Sequence, residues 1–549
     1  MIVVVVLLGL ALIGAPLFVI VGAATGAAFI EFTNTIKSFA DLGDKLINPF
    51  ESLMGKDQFL AIPLFIASGA IMTEGGMARR LVAVARAALG WLPGGLGIAS
   101  VAACMVFAAI TGSSPVTLIA VGSIMFPAMV RAGYPENFSL GLVMTAGSLG
   151  CLVMPSLILM IYALAVSTAG QGQVEGQDMF IASFLPAVAM AMVLCLYSLL
   201  VGLKHGARER FDGKALFEAL REGVWAMALP VIVVVGIYTG KFPPFKAGAV
   251  AFMYALVVTT VVHRELTPTK IVLALANAGR LMGMLILIIA FTFGINKLIP
   301  EVGLEQKLTS LLTDNDIGPI AFLIIVNVFL IVVGALMDSV SATLVFAPIL
   351  APIAVTTYGI DPVHFGVVFV VNMEIGYLAP PVATNLFVAA ALFKKPFGQV
   401  SRAILPGLGI TIAALFVFMF VPTCSKGLVN LKRDQPFYES FPWDGTRQSQ
   451  GAADSFDLGE ISDEAKRKAD EEARTLDGQS DEDYYFGSGD DDGTGADGDG
   501  GDGGAPAAPD PAGDGGAAGS GAGSAVEGGG DDGSTETDDT GDELEGVQL

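Results

Sequence analysis

Ile110-Thr-Gly-Ser-Ser-Pro-Val-Thr117 and Leu336-Met-Asp-Ser-Val-Ser-Ala-Thr343 lie 226 residues apart and interrupt two apolar stretches in the same way. Other punctuation keeps step with them. Pro127 pairs with Pro352, Gly133 with Gly359, Pro135 and Phe138 with Pro362 and Phe365, Gly150 with Gly376, and Pro155 with Pro381, at offsets of 225 to 227. Slips of one residue are what a diverged internal duplication leaves, and ordered anchors of this kind are hard to reach by chance. The duplicated units run from about 94–168 and about 318–394.

Around these units the chain reads as membrane protein. A bilayer core needs about 20 consecutive apolar residues in helix. Stretches 2–30, 58–73, 178–203, 223–240, 247–262, 281–295, 318–336 and 403–422 qualify. Stretches 96–130, 138–168, 339–357 and 363–393 are apolar but cut by Gly, Ser, Pro, Asp or Asn. The pattern predicts an all-α polytopic protein with roughly ten or more spans, not a membrane β-barrel of short alternating segments.

Charge separates two regions. Residues 1–433 hold 25 Lys+Arg against 21 Asp+Glu, whereas 434–549 hold 5 against 32, so the net charge of −23 sits in the tail. Residues 1–425 are the expected membrane domain. Residues 426–549, rich in Gly and Asp beyond 433, lack hydrophobic periodicity and are expected to be a disordered acidic tail, with a short helix at 462–475. An ordinary soluble enzyme, a nucleic-acid binder and a disulfide-stapled domain are excluded.

Basic loops favour the cytoplasm. The first unit follows Arg79, Arg80 and Arg86 and precedes 170–178, which has no Lys or Arg. The second follows the acidic 297–316 and precedes Lys394, Lys395 and Arg402. The bias is reversed, so the units are expected to run in opposite directions. The basic loop 204–221 also reads as cytoplasmic. Inverted repeats with interrupted helices mark secondary transporters, with binding where the interruptions meet.

Each unit has two interruptions. The first, 111–115 and 338–341, predicts a helical hairpin, with Ser114 capping one returning arm and Ser339 or Ser341 the other. The second, at 147–156 and 372–385, predicts a broken helix. Irregular backbone at membrane depth must be satisfied by protein or a wet cavity. Freed carbonyls and hydroxyls suit a small hard cation, and half-helix N-termini suit a carboxylate. Intramembrane carboxylates are costly and usually functional. Asp338 is placed to ligate Na⁺ directly, and Glu374 to cap freed amides. The first unit has Gly112 and Gly147 where these acids stand, which favours sodium over proton coupling.

The four Cys and three His form no metal-ligand spacing, so no transition-metal site and no organic cofactor are expected. HExxH, GxSxG and Walker A patterns are absent, which argues against an enzyme.

Several stretches then carry a resemblance. They are 62–72, 111–114, Gly133-Tyr134, 147–162, 236–240, 361–366 and 380–387. With them, residues 1–425 resemble the large (M-type) membrane subunit of a tripartite ATP-independent periplasmic (TRAP) transporter. The resemblance implies an elevator-type transporter of a bacterial inner membrane, embedded in lipid, with scaffold and transport domains. It implies Na⁺-coupled uptake of an organic acid delivered by a periplasmic binding protein. It also implies a small four-helix membrane subunit, expected here as a separate chain. By the same resemblance, Na⁺ would use Ser113, Ser114, Gly147 and Gly150 at one hairpin, and Asp338, Ser339, Gly376, Thr384 and Asn385 at the other. The solute would lie near Ser114, Thr117, Ser156, Ser341 and Asn385. Two alternatives stay open. One is a proton-coupled or binding-protein-independent organic anion carrier. The other is a non-transporting scaffold or sensor.

Overall fold

The computed structural model describes residues 17–32, 57–168, 174–205, 210–380 and 383–439, with Phe441 and a few positions before 17. Pro381 and the acidic tail, with its expected helix at 462–475, lie outside the described residues.

Helices α1 (Leu17–Phe32), α2 (Asp57–Glu74) and α3 (Met77–Leu89) lead in. α2 and α3 form a pair bent by 71° at Gly75-Gly76, where Gly76 takes a left-handed φ of 66°. The first unit follows as α4 (Gly95–Thr111), α5 (Ser114–Arg131), α6 (Glu136–Ser148) and α7 (Leu157–Thr168), and α8 (Gly176–His205) continues from it. Then come α9 (Gly213–Tyr238), α10 (Pro244–Val262), α11 (Pro268–Val302) and α12 (Leu304–Asp314). The second unit is α13 (Pro319–Leu336), α14 (Ser339–Thr356), α15 (Pro362–Leu378) and α16 (Thr384–Phe393), and α17 (Phe397–Phe420) and α18 (Thr423–Lys432) follow. The order of elements from α4 to α8 recurs from α13 to α17.

Eight helices among the described residues are long and apolar enough to cross a bilayer, or nine if the bent pair counts as one span. The sequence reading expects roughly ten or more. The difference comes from the breaks: they leave apolar pieces of 10–17 residues such as α4, α7, α15 and α16.

Burial sorts the helices. Every residue of α15 from Val363 to Leu378, and of α6 from Phe138 to Ser148, is buried. A helix apolar all round belongs in the centre. Outer helices instead expose Leu196, Leu200 and Leu203 on α8, and Val328, Val332 and Leu336 on α13. Such rows are stable against lipid, not water. The two units also interlock, since α7 packs on α14 of the other unit and α16 packs on α5. Helices α2, α10 and α11 pack together alongside.

The packed chain continues past residue 425. In α18, Lys426 bridges Asp361 (2.9 Å) and Glu439 (2.7 Å), Ser425 bonds His364 (2.7 Å), and Lys432 and Arg433 engage Asp178.

Between α10 and α11, Glu265 receives both Arg80 nitrogens, at 2.5 and 3.2 Å. That hydrogen-bonded guanidinium holds the Glu265 carboxyl below the usual carboxylate range. A depressed folded pKa adds stability above the unfolded value of about 4.3, lost as pH falls through the folded value. Glu265 is partly exposed, so screening limits the pair to about 0.2–1 kcal/mol. Glu265→Gln should lower the melting temperature slightly near neutral pH and not in acid, checked by melting across pH.

Candidate functional site

At the first hairpin, Gly112 ends α4 with a φ of 60°, and its amide donates to the Ala108 carbonyl at 2.8 Å. A Cβ there would also meet the Pro155 carbonyl oxygen at 2.6 Å. The N-cap of α5 is Ser113 rather than the expected Ser114, and no side chain caps the helix. Ser114 is used elsewhere, because its Oγ accepts from Asn385 Nδ2 at 2.7 Å.

At the second hairpin the cap is neither Ser339 nor Ser341 but Asp338. One Asp338 carboxylate oxygen accepts from the Ser341 N–H and O–H, both at 3.0 Å. A charged acceptor makes the stronger cap, so Ser341 becomes its donor.

The two tips open into one cavity of about 480 Å³. Thr111 to Val116 line it from the first hairpin, Asp338 and Val340 from the second, and Cys151, Leu157, Ile158 and Tyr377 from the broken helices. The remaining wall belongs to α2, with Gly69, Ala70, Thr73 and Glu74, and to α11, with Ala274, Asn277 and Ala278.

Of the expected site residues, Ser113, Ser114 and Asp338 line the cavity. Asn385 stands directly behind Ser114, and its buried Oδ1 has no hydrogen-bond partner among the described residues. The others are not in its lining. Thr117 donates to the Ser113 carbonyl (2.8 Å) and shares a hydrogen bond with Thr111 (3.1 Å). Ser156 opens α7, its Oγ donating to the Cys151 carbonyl (2.5 Å) and accepting the Leu159 amide (3.4 Å). Ser339 donates to the Met373 carbonyl at 3.4 Å, tying the second tip to α15. Gly147 lies under Leu118, Gly150 under the Ser113 backbone and Gly376 against Gly334. Thr384 is the exposed first residue of α16.

Glu374 does not cap amides. Its Oε1 accepts from Ser148 Oγ at 2.9 Å, and its buried Oε2 has no partner among the described residues. Ser148, not Gly147, is therefore its counterpart, 226 residues away. The contact joins equivalent positions of the two sequence units. Beside it on α15, Asn372 donates to Asn327 and to the Val368 carbonyl.

Sequence reasoning missed Thr73, Glu74 and Asn277. Thr73 and Glu74 look like the polar end of a span. Asn277 precedes the apolar window at 281–295, yet α11 starts at Pro268. Polar residues in the first turns of a long helix carry no local sign of facing a cavity.

The Asn385–Ser114 bond ties α16 to the opposite unit's hairpin. Asn385→Ala should cost about 1–3 kcal/mol, the usual result of stranding a buried polar group. Thermal melting of the purified variant checks it, with Asn385→Ser expected to lose less.

Among the described residues, no group of three His, Cys, Asp or Glu is placed to hold a metal ion. The cavity offers instead the carboxylates of Asp338 and Glu74, hydroxyls, an orphan amide oxygen close behind and an uncapped helix start.

Residues 4–424 match the family model of the tripartite ATP-independent periplasmic transporter, DctM component. The C4-dicarboxylate TRAP transporter large permease protein of Pseudomonas aeruginosa is 40% identical over 373 residues, 68% of this chain and 86% of that one. Its Vibrio cholerae counterpart is 35% identical over 446 residues, covering 77% and 96%. The ectoine TRAP transporter large permease protein of Halomonas elongata is 29% identical over 429 residues, covering 77% and 97%. These relatives are transporter permeases, not enzymes, and the chain belongs to the DctM family of TRAP transporter large permease subunits.

Proposed function

We propose that this permease imports an organic acid of the C4-dicarboxylate class across the bacterial inner membrane, coupled to Na⁺. The observation that carries the reading is the single cavity joining both hairpin tips, with Asp338 on one side and the uncapped start of α5 on the other. A helix N-terminus attracts a carboxylate, and a carboxylate attracts a hard cation. Asp338 supplies charge for Na⁺, and Asn385 Oδ1, without a hydrogen-bond partner among the described residues, suits the same ion. Relatives named for C4-dicarboxylates, at 35% and 40% identity, support the solute class.

Family membership implies a small membrane subunit and a periplasmic binding protein as partners. In this reading α2, α10 and α11 form the scaffold, and the hairpins with α6, α7, α15 and α16 slide past it as the elevator body. The small side chains of Gly69, Ala70, Ala274 and Ala278 along the cavity wall suit close passage.

Proteoliposomes holding this chain, its small subunit and binding protein test the reading with labelled C4-dicarboxylates. Uptake should require both an inward Na⁺ gradient and the binding protein. Uptake driven by a pH gradient without Na⁺ would overturn sodium coupling. It would favour the second reading, proton coupling through Glu374, whose buried Oε2 is unpartnered among the described residues. Substrate-independent behaviour with folded protein would leave a scaffold or sensor.

A further inference from the structure

A second cavity, of about 410 Å³, lies away from the hairpin tips, between α3 and the start of α9. Arg79, Arg86 and Arg210 all line it. Arg79, Ala83 and Arg86 fall on the outer stripe of α3 at i, i+4 and i+7, while Met77, Ala78, Leu81, Val82 and Val84 are buried. Asp212 is the acid in the lining, and its carboxylate is engaged by the Lys214 and Ala215 amides (2.9 and 3.3 Å) at the start of α9. Among the described residues, three guanidiniums and this one carboxylate line the cavity.

The rest of the lining is apolar. Val82, Ala87, Ile124 and Ala219 form it, with Trp91 at the edge. Trp91 is 45% exposed, its indole N–H donates to the Ala88 carbonyl (2.9 Å), and it meets Phe211 edge-on at 6.0 Å. Half-exposed aromatics beside arginines are the furniture of a membrane–water interface.

We infer that this cavity binds the phosphate of an anionic membrane lipid. Guanidinium groups match phosphate oxygens in geometry and charge. A free phosphate would leave the apolar wall unused, whereas a lipid lays its glycerol and first methylenes there. The charge bias of the loops assigns both 79–86 and 204–221 to the cytoplasmic side, where anionic lipids concentrate. Ile124 belongs to the returning arm of the first hairpin, so the bound lipid touches α3, α9 and α5 together.

Trp91 supplies the probe. The full chain carrying Trp225→Phe and Trp443→Phe keeps Trp91 alone of its three tryptophans. It is reconstituted in phosphatidylcholine vesicles with brominated phosphatidylglycerol or, at equal mole fraction, brominated phosphatidylcholine. The brominated anionic lipid should quench Trp91 about five-fold more strongly, as attraction by several basic side chains implies. Adding Arg79→Gln and Arg210→Gln should remove the preference while quenching by brominated phosphatidylcholine persists. Equal quenching by both lipids with the arginines intact overturns the inference, and that arm needs no arginine variant to fold. Loss of the preference on adding inorganic phosphate would assign the site to a soluble phosphate and overturn the lipid reading. Shielding of Trp91 from both lipids by the small subunit would show a protein contact and overturn it equally.

Discussion

Asp338→Asn should leave the chain folded and lower Na⁺-dependent uptake by a hundredfold or more, about what losing a charged partner of about 3–5 kcal/mol implies. Asn is as good an N-cap as Asp, so the Ser341 amide keeps its acceptor and α14 keeps its start. Only the charge facing the cavity is lost. Asp338→Ala should lose uptake equally, and about 1 kcal/mol of stability with the cap. Melting temperature and Na⁺ titration of uptake, measured on both variants, separate the two effects. Full Na⁺-dependent uptake by Asp338→Asn would remove Asp338 from the cation site.

Gly376→Val should prevent recovery of folded protein, and Gly376→Ala should destabilise it by about 1–3 kcal/mol or more. A Cβ on Gly376 would meet the Gly334 Cα at 2.6 Å and its carbonyl carbon at 2.7 Å. Those are backbone atoms, so no rotamer change relieves the clash. α13 and α15 cross at this point, just before the Met337–Asp338 tip, and separating them would displace the tip from the cavity. Gly279→Ala is the control. Nothing lies within 4 Å of its Cβ position on α11, so helix propensity alone should stabilise by about 0.5–1 kcal/mol. Thermal unfolding with size-exclusion profiles reads both, and a Gly376→Ala chain as stable as the parent would refute the packing account.

Much of the fold was legible because its signals are local. Apolar length predicts spans, and the apolar stretch 318–336 matches α13, Pro319–Leu336, almost to the residue. Pro and Gly punctuation locates the tips, and the offset of 226 locates the duplication. Capping was less legible. Four hydroxyls and one carboxylate compete at 338–341 and 113–114, and the winner depends on what else each side chain can reach. Ser114 was drawn to Asn385, 271 residues away. The span number is harder to read: roughly ten or more are expected from apolar stretches, and eight or nine helices among the described residues are long enough to cross by themselves.

The sequence by itself determined that this is a helical membrane protein whose apolar stretches are interrupted by polar residues, proline and glycine at 111–115, 147–156, 338–341 and 372–385. Those properties follow from burial of apolar side chains in lipid and from proline and glycine acting on their own backbone. Only the tertiary structure decided that the tips share one cavity, that Thr73, Glu74 and Asn277 complete it, and that Ser148 and Glu374 meet. Those pairings join helices hundreds of residues apart, where the geometry of packing, not any local preference, selects the partner.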